Sequence, residues 1–122
     1  MTEHLLDYVF DACRDIGHNR THQFEILASM CEEMGELATE VQIELGTKNR
    51  EVGPDGVAGE AVDVILCALD MFHTITINHT REERIQLLKD IIYTKTDKWV
   101  TKYANPQPKQ SLSGETDEQT IG

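Results

Sequence analysis

A chain of 122 residues with 39% hydrophobic residues, 6% aromatics and three cysteines has the length of one folded domain, and that composition excludes collagen-like, low-complexity and disulfide-scaffold classes. The formal charge of −11 argues against a nonspecific nucleic-acid binder, whose affinity would come from Lys and Arg neutralising phosphates. An acidic chain still accommodates a phosphate ligand when a divalent cation mediates the contact.

The stretch MTEHLLDYVFDACRD carries acids where a secretory signal needs basic residues, and no uncharged run approaches the roughly 20 apolar residues of a membrane span. The expectation is a cytoplasmic protein that binds neither membrane nor nucleic acid directly. Over about residues 3 to 16, Leu5, Leu6, Val9, Phe10 and Cys13 recur at helical spacing, which predicts an amphipathic helix closed by Gly17. After GHNRTH, with Asn19 and Thr21 as candidate N-caps, a longer helix is expected to about Leu45 and Gly46 ends it. Leu27, Met30, Met34, Leu37, Ala38 and Val41 form its expected core face.

The following loop, GTKNREVGPDGVAG, holds four glycines and a proline, a length and composition common in functional loops. A third helix, about residues 57 to 77, contains AVDVILCALDMF and is apolar around most of its circumference, as the central element of a bundle would be. Thr80-Arg81-Glu82-Glu83 is a capping-box sequence, so a fourth helix should run to about Tyr103. Residues 105–122 are polar and proline-containing, which predicts a flexible tail behind a helical domain of residues 1–104. Cys13, Cys31 and Cys67 lack C-x-x-C spacing and fall in apolar helical patterns, so they are expected to be buried thiols in a reducing compartment.

Residues 31 to 44 read CEEMGELATEVQIE. At about 100° per residue, Glu33, Glu36, Glu40 and Glu44 form a stripe beside the apolar line, with Glu32 farther toward solvent. Like charges at this spacing repel, so a positive partner is expected. For Glu40 or Glu44 taken singly, a solvated helix face is the plainer reading. Glu60 and Asp63 lie one turn apart on the otherwise apolar third helix, where carboxylates without partners are costly. Two facing E-x-x-(E/D) pairs offer four oxygen ligands to a hard cation, and magnesium suits that set.

The segment E-E-M-G-E-L at Glu32 to Leu37, with Glu60 of G-E-A-V-D-V following 24 positions after Glu36, resembles the E-E-x-x-E…E-x-x-D signature of the all-α nucleoside triphosphate pyrophosphohydrolases. These include MazG-like proteins, dimeric dUTPases and dCTP pyrophosphatases, and the resemblance covers roughly residues 5 to 103. It implies an all-α four-helix bundle, a homodimer or homotetramer with its pocket between subunits. The implied activity is Mg²⁺-dependent hydrolysis of a nucleoside triphosphate, a deoxynucleoside one being expected, to the monophosphate and pyrophosphate, with Mn²⁺ as a substitute metal. By motif position, Glu33, Glu36, Glu60 and Asp63 are the implied metal ligands. Glu32 is the implied accessory carboxylate, orienting water or assisting a second metal, and Glu32, Glu33 and Glu36 make up the implied catalytic set. The motif does not assign the base.

Such chemistry needs no covalent nucleophile, and the chain offers neither a G-x-x-x-x-G-K-[ST] loop nor a Ser/His/Asp arrangement. Lys95, Lys98 and Lys102 share a stripe beside Leu88, Ile92, Trp99 and Tyr103 and are candidate phosphate ligands, although late-helix lysines equally complement the helix dipole. The arginine often found late in the corresponding helix of the family is missing after Lys95. Asp70, on the same side as Asp63, is a candidate contact for sugar or base. Trp99 and Tyr103 read as core. His18 and His73 follow aspartates rather than glutamates, which argues against a Glu-x-x-His di-iron bundle. The competing reading is a catalytically silent acidic helical module that holds a metal or a protein partner.

Overall fold

The structure is a computed structural model and describes residues 2–17 and 22–104. Four helices and no strand are found among them: α1 (Thr2–Ile16), α2 (Gln23–Glu44), α3 (Gly56–Ile75) and α4 (Arg81–Ala104). The chain divides into two compact units, Met1–Ile85 and Gln86–Gly122. The first holds α1, α2, α3 and the opening turn of α4, and the described part of the second is the remainder of α4. No described helix is long and apolar enough to cross a membrane.

Four of the helix ends follow from local chemistry. The amide of Gly17 donates to the Arg14 carbonyl at 3.2 Å as α1 closes. At the start of α2 the cap is His22, whose Nδ1 accepts from the Phe24 amide at 3.1 Å; the expected caps Asn19 and Thr21 lie outside the described residues. Gly46, at φ +81°, ends α2 as expected. The Gly46 amide donates to the Ile43 carbonyl at 3.0 Å and the Thr47 amide to the Gln42 carbonyl at 2.9 Å, the paired bonds of a Schellman closure. The capping box at α4 forms in both directions: the Glu83 amide donates to Thr80 Oγ1 at 3.1 Å, and the Thr80 amide donates to Glu83 Oε1 at 2.9 Å.

Two arginines of the opening turn of α4 hold the first unit together. Arg84 is buried and donates to Thr76 Oγ1, the Thr76 carbonyl and the His79 carbonyl at 3.1–3.2 Å. A buried cation thus meets the partial negative charge at the C-terminal end of α3. Arg81 donates to Asp7 at 2.8 Å and to Asp11 at 2.7 Å on α1, and its guanidinium holds the Asp11 carboxyl below its ordinary range. Both guanidinium groups lie within 6 Å of the ring of Phe10, which is fully buried.

The interior differs from the expected one on α2. Leu27, Met34, Ala38 and Val41, expected in the core, are exposed. The buried residues are instead Ile26, Glu40 and Ile43, with Met30, Glu33 and Leu37 half-buried. The inward face is thus rotated by roughly 80° toward the acid stripe. Glu40 accepts from the Gly53 amide, which turns the acid edge toward the loop that precedes α3. Cys31, expected to be buried, is exposed, whereas Cys13 and Cys67 are buried as expected. Leu88 is buried, but Trp99 and Tyr103 are exposed rather than core. On α3, Val62 and Ile65 are also about half exposed, at 49% and 54%. The expected tail at residues 105–122 lies outside the described residues.

Candidate metal centre

Glu33 and Glu36 project one turn apart from α2, and Glu60 and Asp63 do the same from α3. One oxygen each of Glu33, Glu36 and Glu60 lie within 4.8 Å of one another, and so do oxygens of Asp55, Glu60 and Asp63. Glu60 belongs to both groups. Glu60 thus links all four residues of the expected ligand set. Glu33 Oε1 and Glu60 Oε1 are buried and have no hydrogen-bond partner among the described residues.

The electrostatics follow from that crowding. Partial burial raises the Glu33 pKa above its ordinary 4.5, and the charges of Glu36 and Asp63 raise it further. Burial likewise raises the Glu60 pKa, followed by Glu36, Asp63, Glu33 and Asp55. An octahedral ion with oxygens at about 2.0–2.1 Å separates its ligands by about 3–4 Å, so a small inward turn of flexible carboxylates would close this set on Mg²⁺ or Mn²⁺. The all-oxygen donor set and the two orphaned buried oxygens fit a hard divalent cation.

Two hollows adjoin the carboxylates. Glu33 and Asp63 border one of about 270 Å³ together with Val9, Cys13, Ile16, Leu66, Cys67 and Asp70. Glu36 and Glu60 border another, of about 410 Å³, with Thr39, Glu40, Arg50, Gly53 and Pro54. The first is walled mainly by apolar side chains and the second mainly by polar ones. Asp70 is buried beside Glu33 and Asp63, whereas Glu32 is exposed, next to Glu33.

The lysines expected to meet phosphate belong to the other unit. Lys95 and Lys98 border a recess there with Asp90, Ile91 and Thr94, and the Lys102 ammonium sits 5.2 Å over the ring of Tyr103. His73 is buried 5.7 Å from the ring of Phe10, and burial followed by Arg84 lowers its pKa, which keeps it neutral. His18 lies outside the described residues.

Three contributors were not anticipated. Asp55, at the N-cap position of α3, makes no capping hydrogen bond and turns toward Glu60 and Asp63. Its side chain crosses Gly59, where an added Cβ would collide with it, so D-G-V-A-G-E carried a usable signal. Glu40 is 6% exposed rather than on a solvated face, and both of its oxygens share the Gly53 N–H at 3.1 Å. Arg50 stands on the loop that this bond holds. Comparison with protein-family models, curated proteins and solved structures finds no match for the chain. The family resemblance therefore rests on the two motif segments alone.

Proposed function

We propose that this chain is a divalent-metal-dependent nucleoside triphosphate pyrophosphohydrolase. The observation that carries the reading is the convergence of Glu33, Glu36 and Glu60 within 4.8 Å, with Asp63 and Asp55 gathered on the same Glu60 and two buried oxygens left without donors among the described residues. In this reading Glu33, Glu36, Glu60 and Asp63 hold the cation. A bound Mg²⁺ would neutralise phosphoryl oxygens and acidify a water molecule. The water oxygen bonds to the α-phosphorus while the α–β bridging oxygen leaves with pyrophosphate. In this reading the carboxylates of Glu32, Glu33 and Glu36 orient that water and accept its proton. The apolar hollow behind Glu33 and Asp63 receives the nucleoside, where buried Asp70 offers a hydrogen-bonding contact.

The same reading takes the protein as a homodimer or homotetramer. Its support is the apolar surface left open on α2 and α3, at Leu27, Met34, Val41, Val62 and Ile65.

Assay of pyrophosphate release over a panel of ribo- and deoxyribonucleotides with Mg²⁺ tests the function. The unsubstituted chain should turn over at least one of them. Glu36→Gln should abolish release while leaving helical circular dichroism intact. Absence of pyrophosphate release from every nucleotide would put the silent acidic module ahead.

A further inference from the structure

We propose that Arg50 is the cationic ligand for the terminal phosphates of the substrate, so that the pyrophosphate leaving group lies on the loop side of the carboxylates. This rests on the pyrophosphohydrolase reading and adds to it a residue and a direction. A triphosphate brings charge that a divalent ion alone does not match, and a guanidinium fork suits two phosphate oxygens at once. Among the residues bordering the hollow beside Glu36 and Glu60, Arg50 is the one cation.

Arg50 shares that hollow with three carboxylates, those of Glu36, Glu40 and Glu60. Even so, no hydrogen bond or ion pair engages it among the described residues. The loop is anchored on both sides of it: the Thr47 and Lys48 amides donate to the Gln42 carbonyl at 2.9 and 3.2 Å, and the Gly53 amide donates to buried Glu40 at 3.1 Å. A Cβ at Gly53 would come to 2.7 Å from Glu40 Oε2, so glycine is what lets the loop approach this closely. Arg50 is thus carried on a short span between two fixed points. The hollow across the carboxylates, beside Glu33 and Asp63, is mainly apolar and suits a nucleoside rather than a polyphosphate. The two environments give the substrate one direction.

The test uses inorganic pyrophosphate with Mg²⁺ as the probe, titrated calorimetrically into the full chain, and Mn²⁺ binding followed by electron paramagnetic resonance. Arg50→Ala should weaken pyrophosphate binding by about tenfold or more and leave Mn²⁺ affinity within about twofold. Arg50→Lys, which keeps charge but loses the fork, should fall between. Lys48→Ala removes the same charge from the same loop but does not border the hollow, and should leave pyrophosphate binding within about twofold. Equal weakening by Lys48→Ala and Arg50→Ala, or no weakening by Arg50→Ala while Mn²⁺ still binds, overturns the Arg50 assignment and spares the metal reading. Failure of the unsubstituted chain to bind Mn²⁺ at all removes the metal reading and the assignment with it.

Discussion

Glu33 and Glu60 sit in a place that is unfavourable for a carboxylate without a cation: each is partly out of water, close to like charges, and has one oxygen with no donor. Their folded pKa values are raised, so the folded state binds protons more tightly than the unfolded one. Their contribution to stability is then greatest below the ordinary value near 4.5 and is lost as pH rises through the raised folded values. A divalent ion reverses that loss by binding the ionised form. Thermal melts should show Mn²⁺ raising the melting temperature at neutral pH, with the gain vanishing as pH falls toward the ordinary carboxylate range. Glu60→Gln should melt higher than the parent without metal at neutral pH, yet lose most of its response to Mn²⁺, the trade expected where function maintains a strained site. A metal-free Glu60→Gln protein that melts lower than its parent contradicts this account. At this scale the sequence was informative where spacing did the work. Glu33 with Glu36, and Glu60 with Asp63, are each one helical turn apart, which puts each pair on one side of its helix. Asp55 and Arg50 precede α3 in irregular chain, where no periodicity says which way a side chain points.

Among elements, α2 is the instructive case. Its apolar line predicts an inward face through Leu27, Met34 and Val41, yet the inward face runs through Ile26, Glu33, Glu40 and Ile43. Apolar periodicity assumes that hydrophobic burial decides the rotation of a helix. Here the part-buried bond from the Gly53 amide to Glu40, thirteen residues away in sequence, competes with it. Helix ends were more readable, because Gly46 and the Thr80–Glu83 pair act through neighbours along the chain. Glu40→Ala should cost about 2 kcal/mol, since it orphans a backbone donor that a charged acceptor had satisfied. Glu40→Gln, which keeps one oxygen, should cost less. Urea denaturation measures both, and amide exchange at Gly53 should accelerate more in the alanine variant. Equal stability of the alanine variant and its parent would mean that the loop has no need of this bond.

For the molecule as a whole, a formal charge of −11 opposes self-association, while the uncovered apolar side chains of α2 and α3 favour it. Screening weakens the charge repulsion much more than the apolar attraction. Analytical ultracentrifugation should therefore find the assembled form strengthened at higher salt, and Met34→Glu should shift the protein toward monomer with its helical content unchanged. A parent that sediments as a monomer at every salt and protein concentration would rule out the assembly. The fold class was plain from helical periodicity, whereas the uncovered faces were not, because an apolar stripe looks the same whether its cover is a neighbouring helix or another chain. The position of Cys31 bears on that ambiguity. It is one turn from both Leu27 and Met34 on the open side of α2, and its thiol is accessible while those of Cys13 and Cys67 are sheltered. A single maleimide dye would thus mark this stripe in the native protein without any engineered cysteine, and the pace of its attachment would report directly on whether a second molecule shields the sulfur.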